Sequence, residues 1–400
     1  MYDVIVIGAG PAGSSTANVL AKNKYNVLVL EKETFPRYHI GEYLIPFTYV
    51  PLQRLNVLEE LKNSSYIKKY SVQFVQQDGT GHQPFYFYKR YDRDTIAQTW
   101  QVDRSTFDKL LIDKAVTYGA NVQYNVCVEK LIYDNNNVVK GVSYRDITSN
   151  TQHDVYAKWV VDASGRNALT SKQNNWQIKD PILSNKMAIW TYYKGCNRPE
   201  GVDGGATIVS FIKDKGWFWY IPLANDTVSI GVVAETSYLM RNGINNIKNS
   251  FEREIQNNVW LSKKIQNATC IQPHKSTTDY SKKSNVCSDP GVVLVGDAYA
   301  FLDPVFSSGV LLALKSGVMV GDVISQALET NTLSVNSFNN YNTIINNSIE
   351  NMRKLVHAFY NVNISFKDII AQYPWAVDEI ADCLSGDLDR DYTKLWEILK

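Results

Sequence analysis

Residues 3–33 read "DVIVIGAGPAGSSTANVLAKNKYNVLVLEKE", and their reading decides the fold. Val4, Ile5, Val6 and Ile7 form a β-branched run of the kind that fills a buried strand. A glycine turn, a helical stretch and a second apolar run, "VLVL", follow in order. Gly8, Gly10 and Gly13 stand in G-x-G-x-x-G spacing. The first glycine permits a tight turn, the second lets a pyrophosphate approach the backbone, and the third lets the helix pack on the strand. The N–H groups that open the helix are then available to phosphate oxygens. Glu31 follows the second strand, where a carboxylate accepts hydrogen bonds from ribose hydroxyls. With strand, turn, helix, strand and acid in register, this opening is a dinucleotide-binding unit.

The remaining chain favours FAD over NAD. "EKLIYDNNNVVKGVSYRD" (129–146) reads as two alternating strands around an Asp-Asn turn, a hairpin inserted in many FAD-binding domains. "WVVDASGRN" supplies a buried strand ending at Asp162 and Gly165. "GVVLVGDAYAFLDP" supplies another ending at Gly296 and Asp297. In FAD monooxygenase-like folds a Gly-Asp pair at that place lies over the ribityl chain. No second G-x-G-x-x-G is present, so no dedicated nicotinamide domain is expected. Electrons then arrive by transient NAD(P)H contact or as flavin reduced elsewhere.

Bulk properties exclude several classes. The 400 residues can hold one large or two interleaved domains. A formal net charge of +1 gives no reason to expect a nucleic-acid partner. The run "VFSSGVLLAL" stops at Lys315, too short to span a bilayer. "MYDVIVIGAG" lacks a signal-peptide layout. Cys127, Cys196, Cys270, Cys287 and Cys383 are scattered without C-x-x-C spacing, and the five histidines are equally dispersed. The expectation is a cytoplasmic protein with no metal site.

The expected fold class is α/β: a Rossmann-type FAD-binding domain of the FAD monooxygenase-like fold, an inserted substrate β-sheet domain and a C-terminal helical region. The FAD-binding domain is discontinuous, 1–180 and 285–330, with 70–100 contributing to the substrate side. Residues 181–284 form the substrate domain, with "MAIWTYYKG", "GATIVSFIK", "GWFWYIPL" and "TVSIGVVAE" as its strands and "ANDT" joining the last two. Residues 331–400 are helical, with "MRKLVHAFYNV" as one amphipathic segment.

Trp217 and Trp219 in "GWFWYIPL" fall two apart, so in a strand they share a face. They either fill a core or wall off a site. With "FPRYHIGEYLIP" (35–46) and "FLDPVFSSGV" (301–310), this stretch makes the chain resemble the flavin-dependent halogenases. That family carries W-x-W-x-I-P, here Trp217, Trp219, Ile221 and Pro222, and F-x-x-P-x-x-S-x-G, here Phe301, Pro304, Ser307 and Gly309. The resemblance covers nearly the whole chain and is to halogenases of pyrroles and phenols, several of which take carrier-tethered substrates.

The resemblance implies FAD, used as FADH₂ from a separate flavin reductase, with O₂ and chloride or bromide as co-substrates. It implies a cofactor site of Gly8, Gly10, Ala12, Gly13, Glu31, Lys32, Arg37, Ile40, Gly41, Arg104, Val128, Asp162, Gly296, Asp297, Pro304, Gly309 and Val310. Trp217 and Trp219 would keep an organic substrate off the flavin, so that only halide is oxidised. Trp190, Phe211, Phe301 and Phe306 would line the substrate pocket. Ser308 and Gly309 would bind halide at a helix N-terminus, although an ordinary Ser-capped helix fits the same residues. Lys69, in "SSYIKKYSVQF", would present the electrophilic halogen to an aromatic small molecule, free or held on an acyl or peptidyl carrier protein.

Three positions depart from the pattern. Tyr43 replaces the serine usual after Gly-Glu, and Ser71 replaces the glycine expected after the lysine. Phe306 stands where tryptophan halogenases carry a glutamate, which points to a substrate that activates its own ring. Two other readings use the same fold: a monooxygenase or geranylgeranyl-reductase-like enzyme, and a non-catalytic escort resembling the prenyl-protein chaperones. Neither accounts for both signatures together with the retained flavin residues.

Overall fold

The computed structural model describes residues 1–399 except 94, 184, 244, 245, 279, 280 and 362. The opening stretch folds as read. Strand Tyr2–Ile7, helix Pro11–Lys22 and strand Val27–Leu30 form a βαβ unit with parallel pairing. Tyr2–Ile7 sits mid-sheet, between Val27–Leu30 and the long strand Gln152–Asp162, and both neighbours run parallel to it. Val292–Leu294 extends the sheet on one side and Asn121–Gln123 on the other, again in parallel. Strands buried on both faces by helices read as unbroken apolar runs, which is why "VIVI" and "VLVL" show no alternation.

The hairpin Val126–Tyr133/Val139–Asp146 is antiparallel, and its turn is held by Asp134 Oδ1, which accepts from the N–H groups of Asn136 and Val138. It continues the sheet through the first half of Gln152–Asp162, whose second half belongs to the parallel core.

A second sheet carries the aromatic strands. Lys186–Lys194, Thr227–Glu235, Gly216–Pro222 and Thr207–Ile212 lie side by side in antiparallel pairs. Asn225 and Asp226 adopt positive φ in the turn within "ANDT", as a tight hairpin requires. Ser71–Val75 joins in parallel beside Thr207–Ile212, and Gln83–Tyr86 pairs with it in turn, while Thr99–Gln101 pairs with Ile67–Lys69 in a separate two-stranded sheet. One face, with Phe218 and Tyr220, packs on Phe251, Ile255 and Leu261 of two short helices. The other, with Trp190, Trp217 and Trp219, joins the core of the nucleotide-binding layer.

Helix Ser308–Glu329 is longer than the run "VFSSGVLLAL" implied, because it continues through Lys315. By length and composition it could cross a membrane, but 67% of its most apolar window is buried inside the protein, where it packs against Pro11–Lys22. "MRKLVHAFY" is the end of a helix that begins at Asn339 and closes at Tyr360. That helix shares the core of the first sheet, and Tyr341 donates to the Leu294 carbonyl at 2.9 Å. The C-terminal region is therefore built into the body of the molecule. Buried Asp382 fastens it further by accepting a two-pronged bond from Arg90 and another from the Tyr91 hydroxyl.

Candidate active site

Gly8 has φ 95°, and a Cβ there would stand 2.6 Å from the Ala163 carbonyl oxygen, so the turn tolerates no side chain. A Cβ on Gly13 would stand 1.9 Å from the Gly8 carbonyl oxygen, which shows how tightly helix and strand pack. Pro11 opens the helix, and Gly10 at its N-cap offers no side-chain acceptor. The first helical N–H groups thus stay available to an anion. Glu31 stands behind the turn, accepting from Ala9 N–H at 2.7 Å and Glu33 N–H at 3.0 Å.

A cleft of about 370 Å³ starts at this turn. Gly8, Gly10, Ala12, Glu31, Lys32, Arg37, Ile40, Gly41, Arg104, Val128, Asp297, Pro304, Gly309 and Val310 all line it, as do Trp190, Trp219 and Phe301. Arg104 donates to the Ile40 and Gly41 carbonyls, and it shares buried Asp108 with Arg37. Burial pushes the Asp297 carboxyl up to about 6, while Arg166 and Arg104 pull it the other way.

Several expected residues lie off this cleft, each for a visible reason. Asp162 accepts from the N–H groups of Ser164 and Thr170, so its carboxylate shapes the loop instead of facing a ligand. Gly13 and Gly296 act in backbone packing; a Cβ on Gly296 would reach the Ala12 Cβ at 2.9 Å. Ser308 is buried. Phe211 and Phe306 are not on the cleft; Phe211 stacks on Phe359 and Phe306 meets it edge-on, each at 5.4 Å, and Phe74 contacts both. Conversely, Ser164, Arg166, Asn167 and His39 line the cleft with no role expected of them from the sequence, and so do Gly165 at the strand end, Tyr43 after Gly-Glu and Ser307 of the F-x-x-P-x-x-S-x-G signature. Arg166 lies 5.5 Å from the Phe301 ring centroid. Its one signal is "SGRN", where it comes one residue after the glycine that ends the strand.

The two tryptophans share a face, with ring centroids 6.0 Å apart. Trp219 borders the cleft, whereas Trp217 lies behind it and donates from Nε1 to the Tyr360 hydroxyl at 2.7 Å. Tyr360 in turn donates to Asp303 Oδ2 at 2.9 Å. Both indoles are buried, so Trp219 is core and wall at once, while Trp217 is core behind it.

Helix Ser308–Glu329 starts at the cleft. Its N-cap, Ser307, has φ 66° and makes no side-chain cap, so the ordinary Ser-capped arrangement is not the one adopted. The Tyr43 hydroxyl donates to the Pro304 carbonyl at 2.6 Å. Tyr43 thereby braces the helix start, a part the usual serine is too short to play.

Lys69 is 1% exposed, while Lys68 next to it faces solvent. This split follows from strand alternation in Ile67–Lys69. The Lys69 Nζ donates to the Leu44 carbonyl at 3.1 Å and lies 5.6 Å from the Tyr43 ring centroid and 5.8 Å from that of Phe87. Burial without a carboxylate partner pulls its ammonium down to about 7. Tyr43 therefore has the cleft on one side and Lys69 on the other.

The residues present fit FAD. A glycine turn and uncapped helix start suit the pyrophosphate, Arg37, Arg104 and Arg166 supply cationic donors, and indoles and apolar side chains suit a ring system. A single-dinucleotide cleft with an indole wall and a helix N-terminus at its end defines a flavoprotein oxidoreductase. The comparisons carry this further. The tryptophan halogenase family model matches residues 3–90 and 86–368, and the chain belongs to that family. It is a flavin-dependent halogenase whose cofactor is FAD.

It is 32% identical to the 1H-pyrrole-2-carbonyl-(peptidyl-carrier protein) chlorinase of Pseudomonas fluorescens, over 97% of this chain and 89% of that one. It is 31% identical to the corresponding brominase of Pseudoalteromonas luteoviolacea, over 96% and 92%. Among solved structures, flavin-dependent brominase Bmp2 matches with a TM-score of 0.89 and 28% identity, covering 100% of this chain and 97% of that one.

Proposed function

We propose that the enzyme chlorinates or brominates an electron-rich pyrrole or phenol held on a carrier protein, using flavin reduced by a separate reductase. The observation that carries the substrate class is the surroundings of Phe306. This side chain is buried among Phe74, Phe211 and Phe359. The nearby carboxylate of Asp303 is committed to Val305 N–H and the Tyr360 hydroxyl. Among the described residues no carboxylate is thus presented at Phe306 to take a ring proton, and the ring must supply its own electron density. The carrier is supported by the two pyrrolyl-carrier relatives.

Reduced flavin and O₂ supply the oxidising power that turns halide into hypohalous acid. The chain's own residues do the rest. The uncapped helix start at Ser308 and Gly309 attracts halide, and Trp219, backed by Trp217, keeps substrate off the cleft. Lys69 hydrogen-bonds the hypohalous acid, or takes its halogen on nitrogen with release of water, and hands it to the ring. Five free thiols fit the reducing cytoplasm in which we place the enzyme.

The test is intact-mass analysis of pyrrolyl- and hydroxyphenyl-loaded carrier proteins with FAD, chloride or bromide, and NADH. A 34 or 78 Da gain is expected only when a flavin reductase is added, the mass of chlorine or bromine replacing hydrogen (about 34 and 78 Da, with the ring's own donor directing the site). Rapid NADH oxidation by the protein alone, or efficient chlorination of free tryptophan on its benzo ring, overturns the proposal.

A further inference from the structure

The Gly-Glu pair of "IGEYL" places one carboxylate directly behind the cleft wall. Glu42 is 4% exposed, and its Oε1 accepts from the Tyr192 hydroxyl at 2.6 Å. Tyr192 has one proton, committed to Glu42, so in its 3.0 Å contact with Tyr38 the Tyr38 hydroxyl is the donor. Tyr38 in turn accepts from Trp190 Nε1 at 2.6 Å. On the other side, Trp219 Nε1 donates to Ser229 Oγ at 3.1 Å. The Ser229 hydroxyl faces Glu42 and lowers its pKa, while Glu42 Oε2 is buried with no hydrogen-bond partner in place. One hydrogen-bonded relay therefore runs from Trp190 to the carboxylate, and a second runs from Trp219 to Ser229, whose hydroxyl faces the same carboxylate's open oxygen.

We propose that Glu42 is a positioning residue that sets the indoles of Trp190 and Trp219 through Ser229, Tyr192 and Tyr38. The inference rests on those two indoles being the wall of the flavin cleft. Every donor in both relays points towards Glu42, so only the carboxylate accepts both. A protonated Glu42 turns one oxygen into a donor, and one relay loses its acceptor.

Burial pushes this carboxyl up to about 7, against the hydrogen bonds from Tyr192 and Ser229. Asp103 raises it further and Arg104 lowers it, both from the start of helix Arg104–Thr117. Lys275 also faces it, with its ammonium 3.1 Å from the Tyr38 ring centroid, and so does the buried Tyr43 hydroxyl. The wall is held above this pKa and loosens as pH falls through it.

The experiment tracks the indole N–H resonances of Trp190 and Trp219 in the protein without flavin, assigned by Trp190→Phe and Trp219→Phe. At least one is expected to shift with a midpoint near pH 7, and the shift to vanish in Glu42→Gln, whose amide accepts and donates without titrating. Ser229→Ala is expected to move only the Trp219 signal, and Tyr38→Phe only that of Trp190. Signals indifferent to pH, or titrating unchanged in Glu42→Gln, overturn the inference whatever the enzyme halogenates.

A second arm measures halogenated product per reduced flavin consumed. It is expected to rise with pH through 7 in the wild type, to rise less steeply in Glu42→Gln, where Lys69 still titrates in this range, and to fall about tenfold in Glu42→Ala as the wall slips, with FAD affinity retained in all three. Superimposable pH profiles of wild type and Glu42→Gln count against Glu42. A wild type that halogenates nothing counts against the proposed substrate instead.

Discussion

Lys69→Ala is expected to lose halogenated product by at least about a hundredfold, a typical loss for a positioned proton-transfer group, while FAD affinity and flavin oxidation by O₂ persist. Lys69 is not among the cleft residues, and its ammonium lies beyond Tyr43. Its removal therefore leaves the flavin site intact and interrupts only the steps after halide oxidation. Lys69→Arg is expected to fail as well, because a guanidinium stays protonated and cannot accept halogen on nitrogen. Lys68→Ala is the control, since Lys68 faces solvent, and it should remain close to wild type. Carrier mass and hydrogen peroxide yield, measured together, separate lost transfer from lost flavin chemistry. Retained halogenation in Lys69→Ala would remove the relay from this position.

The same burial makes a stability prediction of the opposite sign. Lys69 titrates near 10.5 when unfolded and at about 7 in the fold. Between these values the unfolded state binds more protons, so stability rises with pH, and below 7 the full cost of burying the charge is present. Lys69→Met keeps the volume and removes that cost. It should melt above the wild type at pH 6, and the gap should shrink by about 1.4 kcal/mol per pH unit above 7. Denaturant melts at pH 6, 7.5 and 9 read this directly. A lysine that stabilises the fold while its halogen chemistry is lost on replacement would need a different account of its burial.

The turn at Gly8–Gly13, the hairpin and the tryptophan strand were legible because each is decided by neighbours a few residues apart. Alternation likewise put Trp217 with Trp219 and split Lys68 from Lys69. What sequence could not show is which buried side chains face a cavity. Asp162 and Arg166 lie four residues apart, yet the acid is spent on two backbone N–H groups and the arginine reaches the cleft. Phe211 is one of a sheet's aromatics by pattern, but Phe359, from a helix 148 residues later, covers it. Glu42 reads as a loop carboxylate until the fold brings Tyr192, 150 residues away, onto it.

Gly231→Ala is expected to weaken FAD binding at least about tenfold, because it pushes Trp219 toward the cofactor. Gly231 pairs with Trp190 on one side and Trp219 on the other, in the strand between theirs. With no side chain there, the Trp219 indole lies across the strand. A Cβ on Gly231 would stand 2.1 Å from its Cζ2 and 2.3 Å from its Cη2. The ring must move, and the sheet blocks it on one side while Trp217 and Trp190 stand 6.0 and 6.4 Å away between centroids. The free direction is the cleft. Trp219→Phe removes the atoms that clash, so adding it to Gly231→Ala should recover most of the lost affinity, although Trp219→Phe alone loosens the wall. The coupling between the two substitutions, read as flavin fluorescence quenching across the double-mutant cycle, reports this contact and no other. Additive losses would mean that Trp219 yields toward the protein interior, and that the indole's place at the cleft is set from elsewhere than the glycine beneath it.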